Sequence, residues 1–240
     1  MMTPVDFHSH ILPCVDDGSK SLEQSLQMLS VEREQGVSCV VATPHFYPQH
    51  DQMEAFLDRR ARAWDTLKRE LDQHPELPQV RLGAEVHYFR GISSCDDLRK
   101  LTVDGGEYVL IEMPHSSWTE DMYRELERIY IKWDLIPIIA HVDRYLGRFR
   151  TYGIPERLSA LPVLVQANGE FFLRKRSQAM AIRMVRDEQI HLLGSDCHNL
   201  TDRRPNLAET VSLIEKRLGA EALERIAQYQ QTVLPTLSCE

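Results

Sequence analysis

The chain has 240 residues with 28 Lys and Arg against 36 Asp and Glu, a formal net charge of −8. That length suits one α/β barrel with a sizeable core, and the acidic balance opposes non-specific nucleic-acid binding, which needs basic surface to neutralise phosphates. No apolar stretch approaches the ~20 residues of a membrane span, and the five cysteines (Cys14, Cys39, Cys95, Cys197 and Cys239), odd in number and without Cys-x-x-Cys spacing, give neither a disulfide framework nor a zinc knuckle. The N-terminus runs straight into Asp6 and His8 without a basic, then apolar, signal pattern, so a cytoplasmic protein with no membrane insertion is expected.

In chain order, apolar, β-branched runs at residues 5–7, 37–42, 80–84, 108–111, 136–140, 163–165 and 190–193 read as seven short strands. Between most of them lie helical patterns with charged faces, at 21–35, 53–73, 120–133 and 178–188. Such alternation means parallel strands with crossover helices. Ser21 ahead of Glu23 and Gln24 marks an N-terminal cap, Leu22, Leu26 and Leu29 form an apolar stripe, and Gly36 stands where the helix stops. In the next helix Phe56, Trp64, Leu67 and Leu71 are set to face the core, and the cluster of Arg59, Arg60 and Arg62 is placed on the solvated face rather than read as a basic docking patch. Helices at 207–218 and 222–233, parted by Gly219, close the chain without obvious chemistry. No repeat, low-complexity tract or Gly/Ser linker divides it, so a single domain over residues 1–240 is expected.

The polar chemistry sits at strand ends. His8 and His10, two residues apart, leave the first strand with both imidazoles on one side. Ligand-type residues then recur: His45 in Thr43-Pro44-His45, Glu85 in Gly83-Ala84-Glu85, Glu112 in Leu110-Ile111-Glu112, His141 in Ile139-Ala140-His141, and Asp196 with His198 in Ser195-Asp196-Cys197-His198. In a parallel barrel these ends converge on one face. Eight of the ten histidines lie at or shortly after a strand end, leaving His74 and His191 elsewhere, whereas solvated histidines would spread over the helices too. His50, His87 and His115 read singly as loop or rim residues and are given no role; the set as a whole points to a metal site. Imidazole and carboxylate donors without thiolates suit Mn, Fe or Zn. There are too many donors for one ion, so a two- or three-metal cluster is expected, of the kind that activates water and neutralises a phosphoryl group. Arg144 and Arg203 beside these donors are candidates for forked contacts to phosphate oxygens, with a surface salt bridge as the plain alternative for each.

Taken as an ordered set, Asp6-Phe7-His8-Ser9-His10, Val15-Asp16-Asp17-Gly18, Thr43-Pro44-His45, Gly83-Ala84-Glu85, Leu110-Ile111-Glu112, Ile139-Ala140-His141-Val142-Asp143-Arg144-Tyr145 and Ser195-Asp196-Cys197-His198-Asn199-Leu200 carry a resemblance that covers nearly the whole chain. It resembles the manganese-dependent protein tyrosine phosphatases of the capsular-polysaccharide type, in the polymerase and histidinol phosphatase superfamily. The resemblance implies a distorted, TIM-like (β/α)7 barrel with three Mn ions. His8, His10, Glu85 and Asp196 would hold one ion, Glu85, Glu112 and His141 a second, and Asp17, His45 and His198 a third, with Arg144 and Arg203 on the phosphate. Arg203 is preferred to the adjacent Arg204 for its spacing from His198. The implied substrate is the phosphorylated tyrosine-rich tail of a bacterial tyrosine kinase that controls exopolysaccharide assembly, with that kinase as the partner and a metal-bound hydroxide as the attacking group. A phenolate, with a parent pKa of about 10, leaves without a strong general acid.

Other readings use the same residues. One is hydrolysis of histidinol phosphate or another small phosphoester. Another is a metal-bearing nuclease or proofreading module, which the acidic balance and the lack of a basic, aromatic-interleaved groove disfavour. Homo-oligomerisation is left open. A rival mechanism lies in the stretch from Cys197 to Arg203, which fits the Cys-x5-Arg spacing of cysteine-dependent tyrosine phosphatases. Its intervening residues contain no glycine to converge backbone amides, and Asp196 and Asp202 flank it, opposing a low-pKa thiolate. On an extended strand end, alternation would also turn Cys197 away from Asp196 and His198, toward packing.

Overall fold

The structure is a computed structural model and describes residues 3–146 and 153–235; Cys239 lies outside them. The chain runs β1 (Val5–Ser9), α1 (Leu22–Glu34), β2 (Cys39–Ala42), β3 (His45–Phe46), α2 (Met53–Leu71), β4 (Gln79–Leu82) and β5 (Glu85–His87). It continues through β6 (Tyr108–Glu112), α3 (Glu120–Trp133), β7 (Ile136–Ile139), α4 (Ile154–Leu158), β8 (Leu164–Asn168), α5 (Gly169–Leu173), α6 (Gln178–Arg186), β9 (Leu192–Gly194), α7 (Leu207–Leu218) and α8 (Ala220–Val233). Most crossings carry an α-helix, as parallel pairing requires a long connection. The crossing from β5 to β6 uses three 3-10 turns instead (Ile92–Ser94, Asp96–Leu101 and Val103–Gly105).

All the strand pairs are parallel, in the orders β1-β2-β4 and β3-β5-β6-β7-β8-β9. The two ladders form one surface. β3 resumes β2 beyond Thr43-Pro44 and β5 resumes β4 beyond Gly83-Ala84, with Gly83 N donating to Ala42 O at 2.9 Å and Glu85 N to Pro44 O at 3.0 Å across the breaks. β9 meets β1 past its own end, where Asp196 N donates to His8 O at 2.7 Å and His10 N to Cys197 O at 2.9 Å, around a Ser9–Cys197 bridge. The described strands therefore occupy seven positions in a closed parallel ring, the expected (β/α)7 barrel, distorted where two of its strands are broken. β1, β2 and β6 are buried along their whole length; β2 and β6 accordingly read as near-continuous apolar runs, while β1 interleaves the buried polar residues Asp6 and His8.

The helix signals act as read. Ser21 Oγ accepts from Gln24 N at 3.1 Å, and Gly36 takes a φ of +76° just past the end of α1. The stripe on α1 is rotated from its expected place, however. Ser25, Met28, Leu29 and Glu32 are buried while Leu22 and Leu26 are only partly covered, because a buried carboxyl, Glu32, belongs to the inward face. The arginines of α2 also differ. Of Arg59, Arg60 and Arg62, only Arg62 is exposed. Arg59 donates to Val15 O at 3.1 Å and to Asp51 Oδ1 at 2.9 Å, and Arg60 to Gly83 O and Lys100 O at 2.8 and 2.9 Å, so two guanidiniums tie down loops whose carbonyls need partners. No helix among the described residues is long and apolar enough to cross a membrane.

Candidate metal centre

The barrel closure brings the strand-end donors together. His8 and His10 Nε2 lie 3.2 Å apart, and Glu85 Oε2 stands 3.2 and 3.4 Å from them. Asp196 Oδ1 lies 3.6 and 3.4 Å from the same two nitrogens. His141 Nε2 is 2.7 Å from Glu85 Oε1 and 3.6 Å from Glu112 Oε1. His45 Nδ1 is 2.9 Å from Glu85 Oε2, and Asp17 Oδ1 is 3.5 Å from His45 Nε2 and 3.4 Å from His198 Nε2. Every residue expected as a metal ligand is thus in one cluster, with Glu85, fully buried, at its centre. The donor atoms fall into four overlapping groups: His8, His10 and Asp196; His8, Glu85 and His141; His45, Glu85 and Glu112; and His10, Asp17, His45 and His198.

Two of these residues hold backbone conformations that side chains with a Cβ rarely adopt. His141 has φ +33° and Asp196 φ +54°, so neither is the extended strand end that alternation assumes. Bulky residues kept in this region mark places where surrounding structure over-determines the backbone, most often at functional sites.

Residues absent from the sequence-based set hold the donors in place. Asp16 Oδ2 accepts from His10 Nδ1 at 2.7 Å and from His45 N at 2.9 Å, turning His10 Nε2 toward the cluster. Gln166 Oε1 accepts from His141 N at 2.6 Å, and Gln166 Nε2 donates to Asn168 Oδ1 at 3.0 Å. Asn168 Nδ2 donates to Asp196 Oδ2 at 3.0 Å. Tyr145 Oη lies 3.3 Å from His141 Nδ1 and accepts from Met113 N at 2.8 Å. His87, read as a rim residue without a role, has Nδ1 3.0 Å from Glu112 Oε2. Behind the cluster Asp6 accepts from His8 N at 3.0 Å and from Ser195 N at 2.9 Å, which locks β1 against the end of β9.

The electrostatics describe an anionic site. Burial works against the carboxylates of Glu85 and Asp196, yet the imidazoles facing them, His8 foremost, hold both well below the usual range. Burial likewise opposes charge on His8 and His10, but Glu85 and Asp196 raise the first, and Asp16 with the same carboxylates raises the second. Burial, then the neighbouring His10, pushes His198 down to about 4. Glu85 Oε2, His45 Nδ1 and His198 Nε2 are buried without a hydrogen bond. Lone pairs aimed at one another 3 to 4 Å apart leave buried acceptors unsatisfied, a cost that a shared cation removes. Donors on one ion at about 2.0–2.2 Å stand at about this separation, so the residues present fit divalent metal.

Arg144 and Arg203 close over the cluster. Arg144 Nη2 lies 2.5 Å from Asp196 Oδ2 and Nη1 3.3 Å from Glu112 Oε1; Arg203 Nη2 lies 2.8 Å from Asp196 Oδ1. Arg204 turns outward to Glu209 at 3.1 Å. Cys197 faces the other way, its Sγ 3.9 Å from Glu32 Oε1, and burial first, then Glu32 and Asp6, raise its thiol far above the ordinary range. It offers neither an accessible nor an ionised sulfur.

A closed parallel barrel with a histidine and carboxylate cluster at the C-terminal mouth of its strands is the architecture of barrel enzymes that gather their chemistry from successive strand ends. Within that class the chain belongs to the capsular polysaccharide synthesis family CpsB/CapC, whose model it matches over residues 4–234. It is 26% identical over 231 residues to the tyrosine-protein phosphatase CpsB of Streptococcus agalactiae, covering 92% of this chain and 94% of that protein. It is 28% identical over 227 residues to the tyrosine-protein phosphatase YwqE of Bacillus subtilis, covering 90% and 86%. In fold it is similar to a solved structure from work on YwqE of Bacillus subtilis and CpsB of Streptococcus pneumoniae, described as metal-dependent tyrosine phosphatases, with a TM-score of 0.84 and 24% identity over 98% of this chain and 95% of that one.

Proposed function

We propose that this protein is a metal-dependent protein-tyrosine phosphatase that removes phosphate from tyrosines of a bacterial tyrosine kinase controlling capsule or exopolysaccharide assembly. The observation that carries the reading is the meeting, over one buried cluster of imidazoles and carboxylates, of two guanidiniums that grip the two oxygens of a single carboxylate, Asp196. Relatives along nearly the whole chain are tyrosine-protein phosphatases. We assign His8, His10, Glu85 and Asp196 to one Mn ion, Glu85, Glu112 and His141 to a second, and Asp17, His45 and His198 to a third, and we place the enzyme and its kinase partner on the cytoplasmic side.

When bound, such ions polarise a phosphoryl group and lower the pKa of water toward neutrality. The chain's own residues do the rest. Arg144 and Arg203 orient the phosphoryl oxygens with forked donors and balance the charge that develops on them. Asp16 fixes the tautomer and direction of His10, Tyr145 stands against the His141 ring nitrogen that faces away from Glu85, Gln166 holds the His141 backbone, and Asn168 orients the Asp196 carboxylate. The phenolate departs without a dedicated acid.

Chelation is expected to abolish hydrolysis of a phosphotyrosine peptide, added Mn to restore it, and the peptide to be preferred over histidinol phosphate. Full turnover by a preparation with no metal by elemental analysis sinks the proposal.

A further inference from the structure

Tyr47 follows β3 immediately, two residues after His45, and is half-buried. Its ring lies nearly parallel to the His45 imidazole, with centroids 4.9 Å apart at 29°, and 5.5 Å from the ring of His87 at 49°. The placement is fixed from both sides. Tyr47 O accepts from His50 N and Asp51 N at 2.9 and 2.8 Å, Asp51 is held by Arg59 at 2.9 Å, and His87 is oriented by Glu112. β3 and β5 carry this pair of rings at one side of the barrel mouth. Arg144 and Arg203 follow β7 and β9, parted from the rings by β6 on one side and by β1 on the other. The mouth therefore has a cationic side, a floor of donors and an aromatic side.

We propose that Tyr47, with the His87 ring beside it, is the wall on which the phenyl ring of phosphotyrosine stacks, and that this wall selects aryl over alkyl phosphomonoesters. The inference rests on the phosphatase reading above. A substrate phosphate drawn to the arginines leaves its ester oxygen and ring to be accommodated elsewhere in the mouth. A planar, rigidly held aromatic offers a ring both apolar area and the favoured offset or tilted geometry at 4.5–7 Å between centroids. An alkyl side chain such as that of phosphoserine has no flat face to offer it. Tyr47 is thus assigned as a specificity-determining residue, distinct from the donors beneath it.

The test is calorimetric titration of the Mn-loaded protein with phenylphosphonate and methylphosphonate, neither of which can be hydrolysed. Wild-type protein is expected to bind the phenyl compound more tightly, Tyr47→Ala to lower that preference about tenfold, and Tyr47→Phe to keep it. Tyr47→Leu, which retains bulk against His45 but not a flat face, should move the preference in the same direction as alanine. No preference in the wild type, or an unchanged one in Tyr47→Ala, overturns the proposal. So does an equal weakening of both ligands with loss of bound Mn, the signature of a residue that only props His45. Failure of the phosphatase reading looks different, because phosphotyrosine peptide then goes uncleaved while the binding measurements still stand.

Discussion

Cys197 and the residues around it illustrate how much depends on a single side chain's direction. Its sulfur faces Asp6 and Glu32 behind the barrel wall, and Glu32 is itself raised far above the carboxylate range, by burial first and by the charge of Asp6 next. Cys197→Ser is therefore expected to retain metal-dependent phosphatase activity and to lose about 1–3 kcal/mol of stability from placing a hydroxyl in that enclosed space. A folded, metal-loaded serine variant without turnover would falsify the metal-centred mechanism. The metal-type donors at strand ends were legible in the sequence because strand ends of a barrel converge, whereas Asp17, in the loop between β1 and α1, entered the set only through the family resemblance. The donors' supports were not legible. Asp16 and Asp17 are adjacent and chemically identical, yet Asp16 is the one bonded to His10 whereas Asp17 is 63% exposed. Asp16 also accepts from Gly18 N and His45 N, and the turn is tight enough that a Cβ on Gly18 would come within 2.2 Å of His10 O. Gln166 and Asn168 were missed because polar residues at the end of an apolar run read as the start of a loop, and β8 in fact continues through both.

At the scale of strands, the apolar runs located all seven ring positions, but not the two breaks. Thr43-Pro44 and Gly83-Ala84 interrupt their strands side by side, so the neighbouring ladder is kept while the donors after each break, His45 and Glu85, are paired in register. Proline supplies no ladder donor. A Cβ on Gly83 would stand only 3.3 Å from a Thr43 methyl. β9 presents the tighter constraint. A Cβ on Gly194 would lie 2.6 Å from His8 Cβ and 2.7 Å from Gln166 Nε2. Gly194→Ala must push β9 away from β1 and β8, and the expected result is a loss of about 1–3 kcal/mol in urea unfolding together with weakened Mn binding. An alanine variant with wild-type stability and metal affinity would show that the strands have slack there.

The molecule as a whole is expected to unfold in a single calorimetric transition, since the ring can open nowhere without breaking a parallel ladder. Its acid sensitivity has a component remote from the metal centre. His191 Nδ1 accepts from Val165 N at 2.9 Å while His191 N donates to Val165 O at 2.9 Å, and burial lowers the imidazole to about 4. The folded value lies below the ordinary 6.5, so this group's contribution is complete above pH 6.5 and is lost as pH falls from there toward 4, on the order of 3 kcal/mol at most. His191→Asn should remove that part of the slope in melting temperature between pH 7 and 4, and an unchanged slope would place the acid sensitivity elsewhere. The closure between β1 and β9 carries a consequence for biosynthesis. His8 and His10 leave the ribosome first, and Asp196 and His198 follow nearly two hundred residues later, about 10–40 s at ordinary rates of translation. For that interval the group of His8, His10 and Asp196 donors stays incomplete, and it can close only after β9 has emerged to pair with β1.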